Sequence, residues 1–205
     1  MALRDTNQGS LVDTKMLPRP EISSGSFMRE LVETLLLIVL IYALVEMAIP
    51  RFMVEGRSMQ PNFLEGQRLI VSRINFLVEP PARGDIVVFN APGNDDDAPP
   101  LIKRVIGLPG ETIAIRDSKV MIDGVELGEP YISQLSDGTR CNDPTYCTVI
   151  LQSDQYYVMG DNRGNSRDSR RFGPIVQHDL IGEVLVRYWP PSAWGIVTQI
   201  GFPAD

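Results

Sequence analysis

The sequence predicts a mostly β protein: a compact antiparallel β domain with large coiled regions, preceded by one N-terminal transmembrane helix. Three observations carry that reading. After Arg51 the chain alternates apolar runs of four to eight residues with Gly, Pro and Asp, the punctuation of short strands. Glycine and proline supply 17 and 16 of the 205 residues, above the usual share and in favour of turns. Residues 35–45, LLLIVLIYALV, carry no charge.

From the N-terminus, residues 1–27 are polar, without helical or alternating period, and read as a flexible tail. Residues 28–50 form the candidate anchor. Extending the uncharged run to residues 31–49 gives nineteen positions that include Glu33 and Glu46, about 28 Å of helix against a hydrocarbon core of roughly 30 Å. A buried helix or a signal-peptide core would also suit an apolar stretch of this length. The run starts 34 residues into the chain, and no small-x-small pair precedes Pro50 and Arg51, which speaks for a retained anchor. Arg4, Lys15, Arg19 and Arg29 before it nearly balance Arg51, Arg57 and Arg68 after it, so charge leaves the orientation open.

Residues 51–205 form the β-rich domain. The strand candidates are Leu69–Arg73, Asp85–Phe89, Leu101–Ile106, Thr112–Ile115, Lys119–Ile122, Val125–Leu127, Thr148–Leu151, Gln155–Met159 and Leu180–Trp189. Asp123-Gly124 signals a tight hairpin, because both central positions of a type I′ turn need positive φ. Cys141 and Cys147 flank NDPTY, whose Asp-Pro turn chemistry brings them within reach of a disulfide; two separate thiols are the alternative. A bridge would place the domain outside the cytosol.

Composition limits the chemistry. Hydrophobic residues at 43% and charged residues at 22% suit a folded core. A net charge of -7, from 19 basic and 26 acidic side chains, disfavours nucleic acid as a partner, since polyanion binding needs clustered basic groups. One His and two Cys leave a zinc site short of ligands, and no cofactor is expected. The acidic run Asn94 to Asp97 has no spaced ligand loop around it and reads as a solvated hairpin tip rather than a calcium site.

A hydrolase needs a nucleophile and a base. His178 sits in a loop before a strand without triad neighbours and reads as incidental. Lys103 is one of three lysines and lies inside an apolar strand, where alternation puts it on a face with Leu101 and Val105. Burial there would favour the neutral amine, a usable base; a solvent-facing lysine on an edge strand is the other reading. Ser58, in VEGRSMQPN just after the apolar run, is the candidate nucleophile, although Gly, Ser and Pro also build ordinary loops. Residues 156–175, YYVMGDNRGNSRDSRRFGPI, end a strand in a polar cluster, either a solvated turn or a network that orients an active group.

Gly56 to Asn62, Gly84-Asp85-Ile86-Val87-Val88-Phe89, Lys103 to Gly110 and Gly160 to Arg170 occur in this order after the apolar run. Together they resemble the type I signal peptidase (leader peptidase) family of membrane-bound serine proteases. The resemblance implies Ser58 as nucleophile and Lys103 as general base, a serine/lysine variant of the commoner triad. It implies that Ser166 orients the lysine amine, that Asp168 and Arg170 form a supporting ion pair, and that Asp161 and Arg163 have structural roles. The Ser58 N–H would bind the oxyanion. Gly56 stands where some members carry an oxyanion-donating hydroxyl, and Asn62 where threonine is usual.

The implied substrates are secretory preproteins with small residues before the cut, added as an extended strand beside Met53 to Glu55. The bilayer is the second implied partner, with the catalytic domain on the extracytoplasmic side. Trp189, Trp194, Ile196 and Phe202 are candidates for the membrane interface, with the tryptophans equally suited to the core. Two rivals remain: a cytosolic self-cleaving repressor, which would lack an anchor, and a catalytically inactive anchored β module that binds signal peptides.

Overall fold

The structure is a computed structural model that describes residues 24–93, 98–132, 139–141 and 143–198. The acidic run at 94–97, Phe202 and residues 1–23 of the expected tail lie outside the described residues. Helix α1, Ser24–Ala48, starts four residues before the expected boundary at 28. Its segment Phe27–Ala48 is 22 residues long with mean hydropathy 2.3, so by length and composition it is able to cross a membrane.

The rest of the described chain is β-rich. In chain order it comprises β1 (Arg51–Met53), β2 (Arg68–Ser72), the short helix α2 (Asn75–Val78), β3 (Ile86–Phe89), β4 (Leu101–Gly107), β5 (Thr112–Arg116), β6 (Lys119–Ile122), β7 (Val125–Glu126), β8 (Thr148–Ile150), β9 (Gln155–Met159), the short helix α3 (Ser169–Phe172), β10 (Ile175–Val176), β11 (Leu180–Trp189) and β12 (Gly195–Ile196). All nine expected strands are present, with ends shifted by a residue or so. Strands β1, β10 and β12 are additions, too short to show a period.

An eight-stranded sheet has the order β1-β2-β11-β3-β4-β9-β10, with β12 paired to β11, and a second sheet has the order β7-β6-β5-β8. Every pairing is antiparallel. Strand periodicity explains how the large sheet buries both faces. Along β3, Ile86 and Val88 enter one apolar cluster with Val54, Met59, Phe63 and Leu69. The alternate Val87 and Phe89 enter another with Val105, Tyr156 and Val158. Tyr157 and Met159 of β9 turn to a third cluster, where Ile106 meets Ile113 and Val120 of the smaller sheet. β4 touches all three clusters and lies inside the sheet, paired to β3 and β9. That position removes the edge-strand reading of Lys103.

Asp123 and Gly124 both have positive φ, 48° and 87°, as the predicted hairpin turn between β6 and β7 requires. Cys141 and Cys147 are joined by a disulfide, their Cα atoms 5.5 Å apart. Asp143 starts the intervening turn by accepting the Thr145 N–H at 2.9 Å. Trp189 and Trp194 are exposed rather than in the core, as is Ile196.

Gly182 shows how closely the large sheet packs. A Cβ there would stand against the Ser72 carbonyl and 2.8 Å from Val71 Cγ1, and backbone cannot yield as a flexible side chain does. Gly182→Ala should therefore destabilise the full chain by about 1–3 kcal/mol, the usual cost of overpacking, read as a lower denaturant midpoint with unchanged m-value. An unchanged midpoint would contradict this packing.

Candidate active site

Ser58 is held in its turn from both sides. Gly56, at φ 77°, bends the chain out of the β1 direction, a conformation that glycine adopts without steric cost. Met59, 1% exposed, anchors the far side in the core. The loop after β9 clasps the turn from across the fold: the Asn162 N–H donates to the Ser58 carbonyl at 2.9 Å, and Asn162 Nδ2 donates to the Arg57 carbonyl at 3.1 Å.

Lys103 reaches this turn from the middle of β4. Its side chain is buried, and Nζ lies 2.7 Å from Ser58 Oγ. Nζ also donates to the carbonyl of Ile102 at 2.8 Å, which leaves the amine lone pair for the serine O–H once the lysine is neutral. Desolvation by burial lowers the Lys103 pKa from 10.5 to about 8; the charges of Asp168 and Asp161 oppose that shift and the charge of Arg167 assists it. Of the two sequence readings of Lys103, the structure shows the buried one, with the ammonium form disfavoured by desolvation.

Asp168 and Arg170 are fully buried and pair through two hydrogen bonds, Nε to Oδ1 and Nη2 to Oδ2, each 2.8 Å. Asp168 also caps α3 and accepts the Gly160 N–H at 3.0 Å. Burial pushes the Asp168 carboxyl up, but Arg170, the Gly160 N–H and the Ser166 hydroxyl outweigh it and hold the carboxyl below the usual range. Ser166 Oγ is buried and makes no hydrogen bond of regular geometry, so its influence on Asp168 is that of a nearby dipole. It packs against Gly160, where an added Cβ would collide with Ser166 Oγ and with the Ser58 carbonyl. Gly160 thus lets the Ser58 turn and the Ser166 loop approach each other.

Asp161 accepts from Arg104 Nε and Nη2 at 2.9 and 2.7 Å and from Asn62 Nδ2 at 2.8 Å. Asn62 Nδ2 also donates to the Tyr131 carbonyl at 2.8 Å, two bonds that a single threonine hydroxyl proton could not make. Arg104 lies over the Tyr131 ring, 4.1 Å from its centroid. Arg163 bonds both carboxylate oxygens of Glu129, together with Thr139 Oγ1 and the Gly160 carbonyl.

Arg104, Glu129, Tyr131, Asn162 and Gly160 have no assigned part in the sequence reading. Arg104 was discoverable, because a second charge beside Lys103 in an interior strand needs a partner on the opposite face. His178 is remote from this cluster in character: its side chain is 82% exposed and lies 3.1 Å from Asp179.

Next to Ser58 lies a cavity of about 80 Å³, lined by Phe52, Val54, Leu69, Val88, Ile102 and Lys103, with Met53, Glu55, Pro99, Pro100 and Leu101 around it. Among the described strands β1 ends the large sheet and pairs with β2 alone, so its outer edge can accept another strand.

The buried amine has a thermodynamic signature. Holding Lys103 at about 8 rather than 10.5 costs about 3 kcal/mol of stability, because the unfolded chain binds the proton more readily. The cost is full below pH 8 and fades between pH 8 and 10.5. Lys103→Met should therefore unfold at higher denaturant than the parent at pH 6.5, with most of the difference gone at pH 10.5. A difference independent of pH would show that charge burial is not its cause.

The family described as signal peptidase, peptidase S26, matches residues 28–189. A probable signal peptidase I-1 of Synechocystis sp. is 37% identical over 191 residues, covering 89% of this chain and 93% of the relative. A signal peptidase I of Bacillus caldolyticus is 37% identical over 147 residues, 68% of this chain and 79% of the relative. A crystal structure of a signal peptidase I from Enterococcus faecalis shares 33% identity and covers 52% of this chain and 97% of its own, with a TM-score of 0.43. The chain belongs to the signal peptidase family, peptidase S26.

Proposed function

We propose that this signal peptidase I-type serine endopeptidase cuts preproteins with Ser58 as nucleophile and Lys103 as general base. The observation that carries the assignment is the 2.7 Å approach of a buried amine to Ser58 Oγ. Neutral Nζ takes the serine proton as Oγ attacks the scissile carbonyl carbon. The resulting ammonium then protonates the leaving amine nitrogen as the C–N bond breaks, and an acyl-enzyme remains. Water enters with the same amine as base, the acid product leaves and Ser58 regains its proton.

The oxyanion is bound by the Ser58 N–H, which donates to no group among the described residues. Gly56 adds no hydroxyl at this point, so water or a further N–H completes the site. The lysine-orienting role expected of Ser166 is not made by a hydrogen bond, since its Oγ makes none of regular geometry; it packs against Gly160 beside the Ser58 turn, and the pairs Asp168–Arg170 and Arg104–Asp161 hold the walls.

The substrate adds to the open edge of β1 at Met53 to Glu55, main chain to main chain. The small apolar cavity then takes a small side chain next to the cut and rejects large ones by steric clash. The apolar helix supports attachment to a bilayer, and the disulfide supports an extracytoplasmic catalytic domain, because such bonds persist in oxidising compartments.

Ser58→Ala, Lys103→Ala and Lys103→Arg should each reduce cleavage of a preprotein by at least about 10³-fold, in line with the loss of a nucleophile or base. His178→Ala should retain parental rates. The kcat/KM profile should fall on the acid side with an inflection near 8, the pKa of free Lys103. Turnover by the arginine variant, or an inflection near 6.5 abolished by His178→Ala, would contradict an amine base.

Gly160→Ala should lower kcat by about tenfold or more, since displacing a reacting group by a fraction of an ångström removes near-attack geometry. Full activity in purified, folded Gly160→Ala would show that Ser166 and the nucleophile turn need no such approach.

A further inference from the structure

Strand β11 carries a half-buried arginine, Arg187, whose hydrogen bonds all go to carbonyl or amide oxygens. The register of β11 explains where it points. Along the pairing with β2, Val184 stands opposite Val71 and Arg187 opposite Leu69, with a register shift between Val184 and Val186. Val184, Val71 and Leu69 share one apolar cluster with Met59 and Phe63, which lie just after Ser58 in the chain. Strict alternation would send residues 184 and 187 to opposite faces of the sheet. The bulge inserts one position, so both turn to the cluster; re-aiming a side chain is a common use of a bulge.

On that face the guanidinium meets the segment that follows Ser58. Nη1 donates to the Asn62 carbonyl at 2.9 Å, Nε donates to the Ala193 carbonyl, and the guanidinium carbon lies 5.9 Å from the centroid of the Phe63 ring. The Phe63 N–H closes a turn on the Met59 carbonyl at 2.9 Å. The Asn62 carbonyl stands at the end of that turn, where an arginine side chain is a favourable partner. The Asn62 side chain is held independently by Asp161 and the Tyr131 carbonyl. The β1 edge is fastened by other bonds, from the Val54 N–H to the Gln67 carbonyl and from the Gly66 N–H to the Val54 carbonyl.

We propose that Arg187 is a positioning residue for peptide cleavage: by clamping the Asn62 carbonyl to β11 it fixes the turn after Ser58, and with it the place of Oγ against Lys103 Nζ. The inference rests on Ser58 and Lys103 as the reacting pair, and Arg187 hydrogen-bonds to neither of them. The planar fork of a guanidinium can hold two carbonyls at once, which the compact charge of a lysine does less well.

The test is steady-state cleavage of a preprotein by the full chain in nonionic detergent, together with amide hydrogen exchange of residues 58–67. Arg187→Met keeps an apolar stem against Phe63. It should lower kcat by about tenfold or more and leave KM within about twofold, because the reacting geometry loosens while the β1 edge stays in place. The acid inflection should remain near 8, since Arg187 is not among the charges that act on Lys103. Exchange at the Phe63 and Leu64 amides, which bond the Met59 carbonyl and Gln67 Oε1, should speed up by about tenfold or more. In Arg187→Ala, added guanidinium should raise kcat by at least about threefold, and tetramethylammonium, a cation without donors, should not. Parental kcat in folded Arg187→Met, unchanged exchange at residues 58–67, or equal rescue by tetramethylammonium would overturn the proposal. Cleavage by Ser58→Ala would instead overturn the reacting pair, and the exchange data would still report whether Arg187 clamps this segment.

Discussion

An amine that must lose its proton near neutral pH has to be kept away from water, and most of the polar architecture around β4 can be understood as the consequence. Lys103 is buried in the middle of an interior strand, where a charged ammonium is poorly solvated. The same burial that disfavours the ammonium brings Nζ against Ser58 Oγ. The chemistry and the instability of the site therefore have one origin. A fold that relaxed to hydrate the lysine would gain stability and lose its base.

Keeping such a side chain dry without misplacing it requires walls that do not move. The Asp168–Arg170 and Arg104–Asp161 pairs supply them, both buried and both with two hydrogen bonds between guanidinium and carboxylate. Pairs of this kind add little net stability compared with apolar packing, but removing one partner leaves a buried charge uncompensated. Their directionality matters more. Asp161 ties the loop after β9 to β4 and to Asn62 of the segment that follows Ser58, while Arg163 ties the same loop to Glu129. The charges of Asp168 and Asp161 work against desolvation and raise the Lys103 pKa, so it is burial, assisted by the charge of Arg167, that brings the amine toward neutrality.

Much of this was legible in the sequence where the signal is local. Apolar runs between turn residues marked the strands of both sheets, Asp123-Gly124 marked the hairpin turn of the smaller one, and four ordered motifs pointed to Ser58, Lys103 and the 160–170 loop. What stayed hidden depends on distant partners. Glu129 meets Arg163 across 34 positions, and Asp161 meets Arg104 across 57; nothing in the immediate neighbourhood of either acid announces its arginine. Strands β1, β10 and β12 are two or three residues long and exist because a neighbour offers an edge, not because their own pattern demands it.

The central claim is that Lys103 is neutral at modestly alkaline pH because the folded protein desolvates it. Lysine NMR titration in Ser58→Ala tests this most directly, with the few other lysines, Lys15 and Lys119, as internal references. The account predicts that the Lys103 side-chain resonance titrates near 8 and moves to the ordinary range on unfolding. A Lys103 resonance that titrates near 10.5 in the folded protein would contradict it.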